Sequence, residues 1–431
     1  MGGGLLRHAH RFTGLSALRA GGLACQWGFV LLIVEWGGDQ SSGEFFTLVA
    51  VASLFAALAD FGFVTYSFRL ARRTAAWRVY RAALEALFMG ILLGLPIVIG
   101  YLVWAGLPLS SGLSIQMTII LFGMVALCRN SLILQQRYMA AVGLEAAIGP
   151  FQVALLAVTV LIVGTDRLGL GTMTAIYILS VALTAALGLW LSHGGADWMR
   201  AVRGLSLRPA IGPTWRRLRR SFPLCLSFGA YNVWLNLPIL WLGLISDPRE
   251  VATLGIYMRA IGAVRALAGS LVVQIQNLAY TRPTRARILA MLMSTLALTL
   301  VAALILAVGG MALVAAAAAG WGPAVALMRV DAVAMLVSLP TPAVLALPVV
   351  ILYAVLSILL MGWNRLRSLA GATLACVVMQ VVLFALSPAL MGEGDRIGIA
   401  VLSLLVSGGL AVLIMGWVSL RADPPPPHGR R

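Results

Sequence analysis

The stretch from Arg216 to Glu250, RRLRRSFPLCLSFGAYNVWLNLPILWLGLISDPRE, decides the fold class. Arg216, Arg217, Arg219 and Arg220 precede an apolar run from Ser221 to Ile245, which ends in the short turn Asp247-Pro248-Arg249-Glu250. At 1.5 Å per residue such a run is long enough to cross a hydrocarbon core of about 30 Å. Arginine-rich loops stay on the cytoplasmic side, so the Arg216 end lies inside and the acidic turn outside.

Working outward from this unit, the same alternation runs along the whole chain. Spans are predicted at about 16–36, 44–68, 82–106, 112–134, 146–164, 169–192, 221–245, 252–279, 288–318, 333–361, 368–390 and 397–420. With both ends inside, 25 of the 31 arginines fall in or beside the loops of one face. The other face carries four, Arg167, Arg249, Arg329 and Arg396, against nine of the acids. That asymmetry fixes the span count and the orientation, and it places the chain in an inner membrane with both termini cytoplasmic.

Composition agrees. Hydrophobic residues make up 61% of the chain and charged residues 10%, a balance that cannot clothe a soluble domain of this length. The net charge of +17 could suggest nucleic acid. Because the arginines sit in short loops between apolar runs, anionic membrane lipids are the expected partner and nucleic acid is not. Cys25, Cys128, Cys225 and Cys376 lie inside spans with no metal-type spacing, and they read as small buried residues. The N-terminus runs through Arg7, Arg11 and Arg19 into the first span without a small-residue cleavage site, as in an uncleaved start. Pro424 to Pro427 and the basic end predict a short disordered tail.

The longest polar interval, 193–220, divides the chain into an N-terminal six-helix bundle (1–192), a basic cytoplasmic linker and a C-terminal six-helix bundle with its tail (221–431). Seven arginines beside Trp198 and Trp215 suggest that the linker lies on anionic headgroups. The halves echo each other: Gly43-Glu44-Phe45-Phe46 heads the second span after a short outer turn, and Gly255-Ile256-Tyr257-Met258 heads the eighth. Six spans return the chain to its starting side, so two such units would be related by an axis along the membrane normal. The ninth span is long enough to tilt or break, with Gly309-Gly310 the expected place.

Ionisable and amide groups at membrane depth are costly and carry the functional expectations. Asp60 and Arg129 lie toward the inner halves of spans two and four. They read either as a charge pair locking two helices or as a gating or ion-coupling site. Arg265 lies near the middle of span eight, eleven residues from Gln276 and on the same face, and is expected in a hydrated cavity that receives an anion. Arg259, in the outer half, can line the same cavity or snorkel to the interface. In span seven Asn232 and Asn236 share one face, as hydrogen-bonding helix glue or as a cavity wall, and Pro223 and Pro238 permit a kink. Arg19 shares a face with Gln26 and is expected to anchor the first span. There is no nucleotide-binding loop, no paired-carboxylate constellation and no histidine cluster, so neither a catalytic centre nor a cofactor or metal is expected.

Two stretches carry a resemblance. Gly43-Glu-Phe-Phe-Thr-Leu through Leu58-Ala-Asp60-Phe-Gly62-Phe resembles the span-two region of bacterial polysaccharide flippases of the O-antigen translocase type. Ser221-Phe-Pro-Leu, Gly255-Ile-Tyr257-Met-Arg259-Ala and the polar exit Gln274–Tyr280 are similar to the matching region of the second half. This family belongs to the multidrug/oligosaccharidyl-lipid/polysaccharide exporter superfamily, with the multidrug and toxic compound extrusion pumps and the lipid II flippases. The resemblance implies an all-α polytopic protein of about twelve spans in two six-helix bundles around a central cationic cavity. Alternating access would move an undecaprenyl-diphosphate-linked oligosaccharide outward, with Arg259 and Arg265 as cavity cations. A polysaccharide polymerase or another assembly protein is a candidate partner that the sequence itself does not specify. A cation-coupled drug exporter of the same fold would need acidic cavity residues, of which Asp60 is the chief one here. A membrane polymerase or ligase would need a sizeable outer loop, and every outer loop is short.

Overall fold

The computed structural model describes residues 2–59, 76–108, 110–135, 137–165, 168–192, 200–204, 211–262, 285–330, 333–335, 342–363, 365–391 and 396–421. All regular structure among them is helical. The helices are α1 (Gly2–Ala59), α2 (Ala76–Trp104), α3 (Ser110–Leu134), α4 (Tyr138–Ala146), α5 (Ile148–Val163), α6 (Leu170–Leu191) and α7 (Ile211–Ile245). Then come α8 (248–262), α9 (Arg285–Ala318), α10 (Gly322–Met328), α11 (Pro342–Gly362), α12 (Leu366–Met391) and α13 (Arg396–Arg421). Eight segments among the described residues are long and apolar enough to cross a membrane. Their exposed positions carry large apolar side chains such as Leu161, Ile162, Val103 and Leu413, the surface that hydrocarbon rather than water demands.

The first predicted span and the described part of the second, to Ala59, form one continuous helical segment that is not straight. Gly38 sits at φ 71° and ψ 170°, outside the helical region, where a residue with a Cβ would be strained. Beyond it the chain reverses. The Ser42 hydroxyl donates to the Ile33 carbonyl over 3.3 Å, and the Phe29 and Phe45 rings meet with centroids 6.3 Å apart. Sixteen residues of straight helix would separate those rings by about 24 Å. The acidic turn expected between spans one and two is therefore a tight reversal at a single glycine.

Two more boundaries differ from the sequence expectation. The fifth span was expected to begin at 146, yet helix starts at Tyr138 and passes through Ala147, at φ −65° and ψ −22°, into α5. Glu145 thus stands inside the helical segment instead of before it. The break expected at Gly309-Gly310 does not occur: α9 runs unbroken to Ala318 and stops where Gly320 adopts φ 78°. Nothing presses on either glycine of that pair, since no atom lies within 4 Å of where a Cβ would stand.

The chain divides into two compact units, Met1–Ile256 and Tyr257–Arg431. In the first, α1 packs on α7, α5 and α3, and α3 packs on α6. The crossing of α1 with the α4–α5 junction is the closest. A Cβ on Gly22 would stand 2.6 Å from the Ala146 carbonyl oxygen, and one on Gly149 would collide with the carbonyl of Gly22. Without a hydrophobic drive between helices in lipid, such small-residue contacts are what let backbones approach and gain dispersion energy. Phe45 sits edge-on to Tyr177 at 5.7 Å, tying the same helix to α6.

In the second unit α13 packs on α12 and α11 through a small-residue face, Ala400, Ser403, Ser407, Gly408 and Ala411. Each serine hydroxyl donates to a carbonyl of its own helix, so these polar groups are satisfied before packing begins. Tyr353 of α11 and Thr373 of α12 share a short hydrogen bond. Gln380 is one of the buried polar groups left unsatisfied, with Trp363 Nε1 and Ser419 Oγ. It is fully buried in α12, and neither its amide nitrogen nor its oxygen has a partner among the described residues. An unpaired buried amide costs roughly 1–3 kcal/mol. Gln380→Leu should therefore raise the thermal midpoint in detergent, and an unchanged or lower midpoint would show that the amide is satisfied by a group that leucine loses.

Candidate functional site

The Arg137 end of the first unit holds a charge cluster that three helices build. α3 ends at Leu134 and α4 begins at Tyr138. Arg129 and Glu145 stand eight residues before and after Arg137, at the same height on facing helices. The Arg129 Nε lies 2.6 Å from Glu145 Oε1 in an ion pair, and Arg19 of α1 reaches Glu145 Oε2 with its Nη2 at 3.6 Å. One carboxylate thus meets two guanidiniums. The side chains of Arg129 and Glu145 are 37% and 38% exposed, whereas that of Arg19 is 15% exposed. The Gly22–Ala146 crossing, three residues from Arg19, brings α1 close enough for the second arginine to reach. The cluster is framed below by hydrogen bonds that finish α6: Arg137 Nη1 donates to the Leu191 carbonyl at 2.6 Å and Gln135 Nε2 to the Ser192 carbonyl at 3.1 Å. These are carbonyls that a helix C-terminus cannot satisfy itself.

The partner expected for Arg129 was Asp60, which lies outside the described residues; the ion pair the structure gives Arg129 is with Glu145. Arg265 and Gln276 also lie outside the described residues. Arg259 stands half-buried on α8. Asn232 and Asn236 stand half-buried one turn apart on α7, where the Asn236 Nδ2 donates to the Asn232 carbonyl at 2.9 Å. That bond turns one amide donor back onto its own helix. Of the singled-out residues that are described, Arg129, Asn232, Asn236 and Arg259, the amide pair is joined by a hydrogen bond. Glu145 was missed, although part of its signal was in the sequence: an acid and a base equidistant from Arg137 stand at similar heights if helices run on both sides of it.

A second feature lies where the turn after Gly38 meets the turn at Pro248. The two Gly-x-aromatic heads meet the elements of the opposite motif. A Cβ on Gly43 would stand against the Pro248 carbonyl oxygen, and a Cβ on Gly255 would collide with the Phe46 ring. Below them Gly243 of α7 faces Thr47 and the Tyr101 hydroxyl. The accompanying pair Arg249–Asp39, 3.9 Å long and well exposed, adds little beside this packing. Among the described residues no group of three or more His, Cys, Asp or Glu could hold a metal ion.

No protein-family model matches the chain, and no curated protein matches it. Solved structures do. A lipid II flippase, MurJ, in an inward closed conformation aligns with a TM-score of 0.67 at 11% identity, over 94% of this chain and 86% of that one. The chain has the fold of the MOP superfamily. An inward-facing MATE-family multidrug resistance transporter aligns with a TM-score of 0.63 at 15% identity, over 94% of this chain and 98% of that one. A MOP superfamily transporter from Pyrococcus furiosus, described as having a binding pocket of reverse polarity, aligns with a TM-score of 0.52 at 14% identity, over 96% of each chain. The MOP fold makes this an all-helical, multi-pass membrane protein, as the span pattern implied. At such identities the likeness concerns architecture, and the substrate has to be argued from charge.

Proposed function

We propose that the chain is a flippase that moves an undecaprenyl-diphosphate-linked oligosaccharide from the cytoplasmic to the outer leaflet by alternating access, for assembly of a surface or exported polysaccharide. The observation that carries this reading is the sign of the charge at membrane depth. Arg129 and Arg19 share one carboxylate, and α8 carries Arg259. In the sequence Arg265 follows on the same span. A guanidinium in a span costs at least about 2.5–3.5 kcal/mol on insertion scales, and a planar fork that meets phosphate oxygens offsets it. A diphosphate is the anionic part of such a lipid, while Asn232 and Asn236 suit hydroxyl-rich sugars.

Alternating access fits a chain with this fold, whose neighbours include a lipid II flippase. The membrane potential, worth about 2.3 kcal/mol per charge per 100 mV, favours outward movement of an anion from a negative interior. No chemical step is required of the protein, so it acts as a transporter and not as an enzyme, in the inner membrane with both termini cytoplasmic. Anionic lipids would hold its basic inner rim, and a polysaccharide polymerase would receive the product. A cation-coupled multidrug exporter is the second reading, favoured by the MATE-family neighbours alone.

A strain lacking the gene should accumulate undecaprenyl-diphosphate-linked oligosaccharide on the cytoplasmic leaflet. Wild type should clear it, and a well-expressed Arg265→Ala protein should not. No accumulation, with altered drug sensitivity instead, would transfer the chain to the exporter reading.

A further inference from the structure

The short helical stretch 200–203 and the turn residue Gly204 lie against the first turns of α2. A Cβ on Gly204 would stand 3.3 Å from Arg81 Nη1 and 3.5 Å from Arg81 Cδ, so a residue without a side chain lets the backbone rest along the guanidinium and its stem. Ala201 of the same stretch is fully buried, whereas Arg200, Val202 and Arg203 are exposed.

Arg81 is held from one side. Its Nε donates to Glu85 Oε1 at 2.8 Å, one turn further along α2. That bond takes the inner edge of the guanidinium, and neither Nη1 nor Nη2 makes a hydrogen bond among the described residues. Glu85 is the carboxylate that Arg81 meets, while Arg200 and Arg203 form no ion pair among the described residues. Both stand within one turn of Gly204, and so beside Arg81. Three guanidiniums are thus set round one carboxylate. A planar fork oriented by its Nε, with its outer donors presented, matches the oxygens of a phosphate.

The level of this group points to lipid. The apolar span of α2, Trp77–Trp104, has 28 residues. That is about 42 Å of helix, the thickness of a bilayer that includes headgroup regions on both sides of a core of about 30 Å. Arg81 follows Trp77 by four residues, about 6 Å along the axis, which places it at the boundary between acyl chains and headgroups. Val202, exposed between two exposed arginines, suits the same plane: its apolar body can meet acyl chains while the arginines reach phosphates.

We infer that Arg81, oriented by Glu85, forms with Arg200 and Arg203 a binding site for the phosphate of an anionic lipid headgroup, which fastens the linker stretch to the base of α2. The site uses none of the span residues invoked for transport and does not rest on the flippase reading. Inorganic phosphate offers the same oxygens, but the bilayer itself delivers a lipid phosphate at this level.

The test titrates the full-length protein in neutral detergent with phosphatidylglycerol, reads bound lipid by native mass spectrometry and follows the thermal midpoint on the same samples. Arg81→Gln should weaken the tightest-bound lipid about tenfold. The double variant Arg200→Gln with Arg203→Gln should do the same, and it leaves the ion pair of α2 intact. Glu85→Gln removes a negative charge but keeps an oxygen for the Arg81 Nε, so its thermal midpoint should fall while binding is retained or tightened. Arg249→Gln, which removes an exposed arginine beside Asp39, is the control and should bind like wild type. If Arg249→Gln weakens the lipid as much as Arg81→Gln, only net charge is read and the site is overturned. If Glu85→Gln loses the lipid as fully as Arg81→Gln, or if both the Arg81 variant and the double variant bind like wild type, the arginine only staples α2 and the inference is overturned as well. Displacement of the lipid by inorganic phosphate at comparable concentration would keep the phosphate site and overturn its lipid source.

Discussion

Gly149→Leu should leave almost no folded protein in the membrane. At Gly149 a Cβ would collide with the Gly22 carbonyl, stand 2.9 Å from the Gln26 backbone nitrogen and 3.0 Å from the Cys25 Cβ. The first two obstacles are main chain in the middle of α1, and they cannot rotate away as a side-chain tip would. Relief requires α1 and α5 to separate, which also pulls Gly22 off Ala146 and Arg19 away from Glu145. Overpacking alone typically costs about 1–3 kcal/mol, and here it comes with the loss of a whole helix crossing. Size-exclusion profiles and thermal midpoints in detergent should show aggregated protein for leucine and a strongly lowered midpoint for Gly149→Ala. Gly100→Ala is the matched control. No atom lies within 4 Å of its Cβ position, so it should be neutral or stabilising by up to about 1 kcal/mol through helix propensity. Equal behaviour of the two alanine variants would show that the α1–α5 crossing is not as close as described.

The second large effect is expected at the outer end, and on activity more than on folding. Gly255→Leu would drive a side chain into the Phe46 ring. Unlike the Gly149 contact, this obstacle is an aromatic side chain close to an outer turn, so the protein should still insert. Phe46 is 2% exposed, and it lies beside Phe45, which packs on Tyr177. Displacing it should therefore loosen the outer half of the first unit, with a cost of about 1–3 kcal/mol. A double variant, Gly255→Leu with Phe46→Ala, makes room and should recover much of the lost thermal midpoint. Transport, read as clearance of lipid-linked oligosaccharide, should fall in the single variant and return in part in the double one. Failure of Phe46→Ala to rescue either readout would separate the two residues.

The glycines at these crossings show how the sequence and the structure divide the information. Gly43 and Gly255 were legible as a repeated motif, because each follows a short outer turn and precedes an aromatic residue. That they press on Pro248 and Phe46 was not legible, since two segments two hundred residues apart have no local signal of contact. Gly22 and Gly149 were not singled out at all. A glycine that permits a backbone approach looks, in a sequence of 45 glycines, like any other.

The candidate site divides in the same way. Arg129 stood out because a charge at depth is costly wherever it occurs. Its partner was sought in Asp60, by depth alone, whereas the structure supplies Glu145 across the turn at Arg137. The start of the helix at Tyr138, eight residues before the expected one, is what puts Glu145 on a helix facing α3. A hydropathy window stops at a carboxylate; a helix does not, provided that an arginine waits on its neighbour.

By itself the sequence determined that this is an all-helical, multi-pass membrane protein. That follows from the partition of residues between hydrocarbon and water, a property each segment carries alone. The reversal at Gly38, the Gly22–Gly149 crossing and the sharing of Glu145 between Arg19 and Arg129 were decided only by tertiary structure. In lipid every apolar helix face is equally content, so the pairing of helices depends on close fit and on the few polar groups that must find each other.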